Sequence, residues 1–204
     1  MKIKNWFRFL FVAITATGFC QNNSNYKAAK EKTHDLIHTK LKVDFNFEQK
    51  QLNGEAWITA KPHFYATDLL TLDAKSMLIH EVSLNGKKIE YDYDDYKIIL
   101  KLPKKYGKEE AFTVYIKYTA RPEKVKEKGS AAITSAKGLY FINADGADKN
   151  KPTQIWTQGE TEGSSCWFPT IDAPNQKTTQ EIYITVPNKY VTLSNGELIS
   201  QTKN

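Results

Sequence analysis

The chain has 204 residues, enough for one domain with a sizeable core and too few for two large ones. Charged residues make up 25% and aromatics 12%, which excludes a disordered chain, and 11 Tyr and 10 Phe with many Ile, Val and Thr favour β structure. Three of the 29 basic residues (Lys2, Lys4, Arg8) and no acidic ones lie in the first 20 positions. The rest of the chain, which holds all 23 acidic residues, is only slightly basic, so nucleic acid is not an expected partner.

Residues 1–20 read as an export signal peptide: a basic head followed by an apolar run over 9–19, too short to span a bilayer. Cleavage after Cys20 would leave Gly18 and Cys20 at the small-residue positions and Gln21 as the new N-terminus. The alternative is a lipoprotein anchored through Cys20, which the bulky Phe19 before it fits poorly. Either way the protein is expected to be exported, periplasmic or outer-surface, without a stable transmembrane anchor. Once Cys20 is gone Cys166 stands alone, so no internal disulfide can form and the core must hold itself together. With no basic neighbour to activate it, Cys166 reads as a small buried hydrophobe.

Residues 21–35 are polar and are expected to be flexible, and the domain is taken as 36–204. Leu41, Val43, Phe45 and Phe47 alternate with polar residues, the mark of a half-buried strand. Asn53-Gly54 is predicted to turn the chain back through a strand over 55–60. Strands follow over 69–73 and 78–84, with Asn85-Gly86 as a hairpin turn. Residues 89–93 and 97–102 continue, the latter expected to stop at Pro103. Phe112, Val114, Ile116 and Tyr118 alternate clearly, and residues 120–137 read as a solvated loop. A strand over 138–143 is turned by Asp145-Gly146, and Ile182, Ile184 and Val186 mark another. Ser194-Asn195-Gly196 signals a last hairpin whose return strand is cut short. Short strands with turn signals every ten residues or so predict an all-β, antiparallel β-sandwich, saddle-like and incomplete at its C-terminus.

The chemically richest stretch is 155–174. Gln158 and Glu160 lie two apart, so in an extended segment they would project from one face with Trp156 behind them. A carboxylate, an amide and an aromatic wall suit a small cation such as a peptide's free α-amine. Solvated polar side chains at a strand end are the plain alternative. Glu162 could share that face, but two carboxylates without a definable separation do not make a glycosidase. His34-Asp-Leu-Ile-His38 has two histidines at i, i+4, yet it reads as a solvent-exposed run entering a strand, and His63 and His80 have no partner ligands near in sequence. No metal is expected to be held by these 204 residues themselves.

Thr157-Gln-Gly-Glu160, Trp167-Phe-Pro169, Asp172-Ala-Pro174, Lys177 and the strand Glu181-Ile-Tyr-Ile-Thr-Val-Pro187, in that order, resemble the N-terminal domain of zinc aminopeptidases of the aminopeptidase N family, to which leukotriene hydrolase belongs. The likeness is loose over about 35–200 and sharp over about 138–196. It implies that Glu160 binds the substrate's free α-amine and that Gln158 lines the first specificity pocket. It also implies that zinc is held by a catalytic domain of the same chain, since His-Glu-x-x-His and Gly-x-Met-Glu-Asn do not occur here. Alone, these 204 residues would then be inactive. Thr170-Ile171 departs from the Cys and aromatic that many members carry there. Trp167, Phe168 and Pro169 are expected to pack the loop onto the sandwich, and Asp172 to bond backbone amides at its turn. Two rivals stand beside this reading: a non-catalytic family member, and a free-standing binding module using Trp57, Trp156 and Trp167 as a stacking platform.

Overall fold

The computed structural model of the protein describes residues 30–126 and 135–202. The proposed signal segment and part of the 120–137 loop lie outside the described residues. Among those described are eleven strands and two single-turn 3-10 helices, Pro122–Lys124 and Ser164–Cys166. The strands are β1 (His34–Asn46), β2 (Gln51–Pro62), β3 (Thr67–Asp73), β4 (Met77–Leu84), β5 (Lys87–Lys88), β6 (Tyr91–Tyr93), β7 (Lys97–Tyr106), β8 (Phe112–Ala120), β9 (Leu139–Ile142), β10 (Gln154–Thr157) and β11 (Thr179–Thr185). They form a six-stranded sheet in the order β11-β1-β2-β8-β4-β5, a three-stranded sheet β3-β7-β6, and a two-stranded ribbon β10-β9.

Period-two alternation builds the core. Leu41 and Val43 of β1, Leu52, Ala56 and Ile58 of β2, and Val114, Ile116 and Tyr118 of β8 all turn one way from the large sheet. Leu70 and Leu72 of β3 with Ile98, Leu100 and Leu102 of β7 complete the same cluster from the small sheet. The ribbon joins through Leu139 and Phe141, the latter edge-on to Phe45 and Phe47 at centroid distances of 6.4 and 6.1 Å. The fold class is therefore the expected all-β, sandwich-like one.

Several local expectations are corrected. The chain reverses at residues 47–50, and β2 runs straight through Asn53-Gly54. Strand β7 continues past Pro103, which sits beyond the β6-paired stretch and where the register with β3 shifts, so its missing N–H breaks no ladder bond of either pairing. Strand β1 begins at His34, and His34 is 2% exposed, not a solvated residue. A bulge between Leu36 and His38 throws Ile37 outward, which hides the alternation from a straight reading. The sheet is also not wholly antiparallel, because β11 pairs with β1 in parallel, His38 opposite Thr179 through Asp44 opposite Thr185. The cause is where the chain arrives. The Gln176 side chain accepts a hydrogen bond from the Leu36 amide and donates to the His34 carbonyl, both at 3.0 Å, so β11 starts beside the start of β1. Asn195-Gly196 is a bend without strands on either side, and Val191, Leu193, Leu198 and Ile199 around it are exposed. A lone hairpin with nothing to pack on is not stable in water.

Asn85-Gly86 behaves as predicted. Both residues have positive φ, 50° and 75°, and they join β4 to β5 with Leu84 opposite Lys87.

Candidate functional site

The site grows out of the β9–β10 ribbon. Its connection is tied by Asn143, whose amide nitrogen donates to the carbonyls of Asp148 and Lys151 at 2.9 and 2.7 Å. The Asn143 side-chain oxygen accepts from the Asp148 amide at 3.0 Å, and the expected turn closes by Gly146 N–H to Asn143 C=O at 3.0 Å. Leu139 and Phe141 face the core. On the other face Trp156 lies flat on Tyr140, ring centroids 4.6 Å apart and 15° from parallel.

Strand β10 ends at Thr157, but the ladder extends one step, because the Gln158 amide donates to the Gly138 carbonyl at 2.9 Å. Gln158 thus stays on the ribbon's outward side and is half-buried. Beyond it the extended geometry ends. Gly159 C=O accepts from Gly163 N–H at 2.8 Å, closing a turn that carries Glu160. Glu160 is exposed, and it reaches the surface from this turn and not from a strand face shared with Trp156.

Two glycines make the turn possible. A side chain at Gly138, which has φ of +69°, would place its Cβ 1.8 Å from the Gly163 carbonyl oxygen. A Cβ at Gly163 would stand 2.4 Å from the Gln158 carbonyl oxygen. Backbone meets backbone directly behind the two candidate residues, which only glycine permits.

The following loop is held by buried polar groups. Lys75, 6% exposed, donates from Nζ to the Glu162 carbonyl at 2.9 Å, and its own amide donates to the Ser165 carbonyl at 2.8 Å. Asp172 Oδ2 accepts from the Ser165 amide at 2.8 Å, across the loop and not within its own turn as the sequence suggested. Burial pushes the Asp172 carboxyl up, opposed by its Ser165 hydrogen bonds and the nearby Lys75 charge. Asp73 receives the Asp172 amide at 3.0 Å on Oδ2 and exchanges two backbone bonds with Thr170, 2.7 and 3.0 Å. Phe168 and Pro169 are buried, Trp167 packs on Phe168 at 4.4 Å, and Cys166 is fully buried with its thiol on the Ala136 carbonyl. The packing roles expected for residues 166–169 are those observed. The motif did not announce Lys75, Asp73, Gly138 or Gly163, which lie away from it in sequence or carry no side chain.

Other candidates fall apart. Trp57 is on the outward face of the large sheet, beside Tyr115 (5.0 Å) and under Lys40 and Lys42 (5.8 and 5.3 Å). Trp156 is on the ribbon and Trp167 is in the loop, so the three tryptophans belong to different elements with different partners. His34 contacts Thr33, His38 contacts Thr179, His63 contacts Asp35 and His80 contacts Thr119. Among the described residues no group of three or more His, Cys, Asp or Glu could hold a metal ion. No helix among them is long and apolar enough to cross a membrane.

Comparison with known proteins agrees with this architecture. The profile of the Peptidase M1 N-terminal domain matches residues 24–204. The puromycin-sensitive aminopeptidase of Caenorhabditis elegans is 31% identical over 146 residues, which cover 67% of this chain and 14% of that protein. An M1 zinc metallopeptidase from Deinococcus radiodurans, solved with a Tyr-Ser-Ala substrate, superposes with a TM-score of 0.68 at 17% identity, covering 88% of this chain and 38% of that one. Leukotriene A4 hydrolase of Saccharomyces cerevisiae gives 0.57 at 19% identity, covering 78% and 24%. The two structures share the fold, and in each comparison this chain spans well under half of the relative's length. With the family profile covering residues 24–204, the chain belongs to the Peptidase M1 N-terminal domain family.

Proposed function

We propose that this chain is the substrate-cleft domain of an exported zinc metallo-aminopeptidase that releases N-terminal amino acids from peptides. In this reading residues 1–20 direct export to the periplasm or outer surface, and the domain proper opens with β1 at His34. A catalytic domain of the same chain packs over the loop at 158–163. Zinc belongs to that domain, where its role is to activate a water molecule. The described residues supply no metal site, and their part is selection.

The observation that carries the reading is the placing of Glu160: an exposed carboxylate on a turn fixed from behind by backbone contacts, next to the half-buried Gln158 amide. Covered by a second domain, such a carboxylate would attract the ammonium of a peptide N-terminus, and a low-dielectric surround would strengthen that attraction. Fixing the ammonium fixes which peptide bond reaches the reacting centre, so the first residue is the one released. Gln158, with its donor and acceptor, would line the pocket for that residue.

The test is Glu160→Gln in the full-length protein, assayed on an aminoacyl anilide and its N-acetylated counterpart. Losing one desolvated charged contact costs on the order of 2–5 kcal/mol, so kcat/KM on the free amine should fall at least about thirtyfold, while the blocked substrate changes little. Near-normal KM and turnover on the free amine would overturn the proposal.

A further inference from the structure

We propose that Lys75 is the positioning residue of this site, acting on substrate only through Glu160. The inference rests on the α-amine reading of Glu160 given above. Lys75 lies in the short link between β3 and β4, far from the motif in sequence, yet it grips the loop at two points. Its ammonium takes the Glu162 carbonyl at 2.9 Å, and its amide takes the Ser165 carbonyl at 2.8 Å. The Ser165 hydroxyl also reaches the Glu162 carbonyl, at 3.3 Å, so that one oxygen is held from two sides. Asp172 closes the frame by accepting from the Ser165 amide.

A buried lysine is an expensive choice for a loop that only needs packing, since an apolar side chain of the same length would fill the space without desolvating a charge. Its hydrogen bond to a carbonyl is charge-assisted and directional. Glu162 is two residues from Glu160, and the turn between them is closed by Gly159 and Gly163. Holding the Glu162 carbonyl therefore sets how far the Glu160 carboxylate stands out from the domain. With Lys75 gone, the carboxylate would remain but its mean position would loosen, and a contact that depends on distance would weaken.

The experiment uses the full-length protein with Lys75→Met, Glu160→Ala and the double variant. Lys75→Met should raise KM for the free-amine substrate about tenfold with kcat within about threefold, and Lys75→Arg should restore most of the loss. In the Glu160→Ala background Lys75→Met should add no more than about twofold, because a residue acting through Glu160 has nothing left to position. Hydrogen exchange should quicken at amides 159–166 and stay unchanged in β2 and β8. Should Lys75→Met not fold, Asp172→Asn weakens the same frame and should move KM and exchange in the same directions. Equal KM losses in both backgrounds, or exchange that quickens throughout the sandwich, would make Lys75 a general stabiliser and overturn the proposal. A normal KM for Glu160→Ala alone would instead remove the α-amine reading, and loop-confined exchange would still show whether Lys75 places the turn.

Discussion

Asn53-Gly54 and Asn85-Gly86 look alike in sequence and serve different ends. At Asn85-Gly86 both residues need positive φ, and the pair makes a hairpin turn. Gly54 has no such backbone, and it is glycine because the Tyr118 ring lies on it, with Cζ 2.2 Å from where a Cβ would be. Space and not conformation selects the residue, and a partner 64 positions away cannot be read from a dipeptide. Gly54→Ala should therefore cost about 1–3 kcal/mol by forcing the ring aside, measured as a lower urea midpoint at unchanged slope. Tyr118→Phe should do the opposite. The phenol is fully buried, its oxygen has no hydrogen-bond partner, and burial raises its pKa. Removing that hydroxyl while keeping the ring should leave stability equal or higher by about 1 kcal/mol.

At the scale of elements, the strands that alternate strictly were legible, β8 most plainly and β1 from Leu41 onward. What escaped was whatever depends on a neighbour. Pro103 looked like a stop, yet it is tolerated because the strand is unpaired at that point. The bulge at Ile37 made His34 look solvated. The parallel docking of β11 depends on Gln176, a residue with no signature of its own. Gln176→Ala deletes two side-chain bonds to the β1 backbone, and the cost should be about 1–3 kcal/mol. Faster hydrogen exchange should then appear in β11 and at residues 34–38 while β2 and β8 keep their protection; a uniform change across the large sheet would contradict this account of the edge.

For the molecule as a whole, stability should depend on pH through His34. Burial holds its imidazole below the ordinary value of 6.5, outweighing the nearby Asp35 charge. The unfolded chain then binds the proton more readily than the folded one, so the His34 contribution is complete above about pH 6.5 and is lost as the pH falls below it. Urea unfolding at pH 7.5 and 5.5 should show the drop, and His34→Gln should flatten that part of it. The candidate site was less legible than the fold, since Glu160 stands on a turn closed by Gly159 and Gly163 and not on the strand face its spacing suggested. Gln158 and Glu160 stood out by type and spacing, whereas the clamp from Lys75 and the glycine contact behind them are tertiary facts. The stacked pair on the ribbon has a practical consequence. Trp156 is 45% exposed, rests on Tyr140 and precedes Gln158 by two residues. Trp57 sits among lysine stems on the sheet, and Trp167 sits against Phe168. An indole so placed is a built-in optical reporter: its emission should shift to the blue when anything dry settles over the turn, giving a label-free signal of occupancy at this end of the domain.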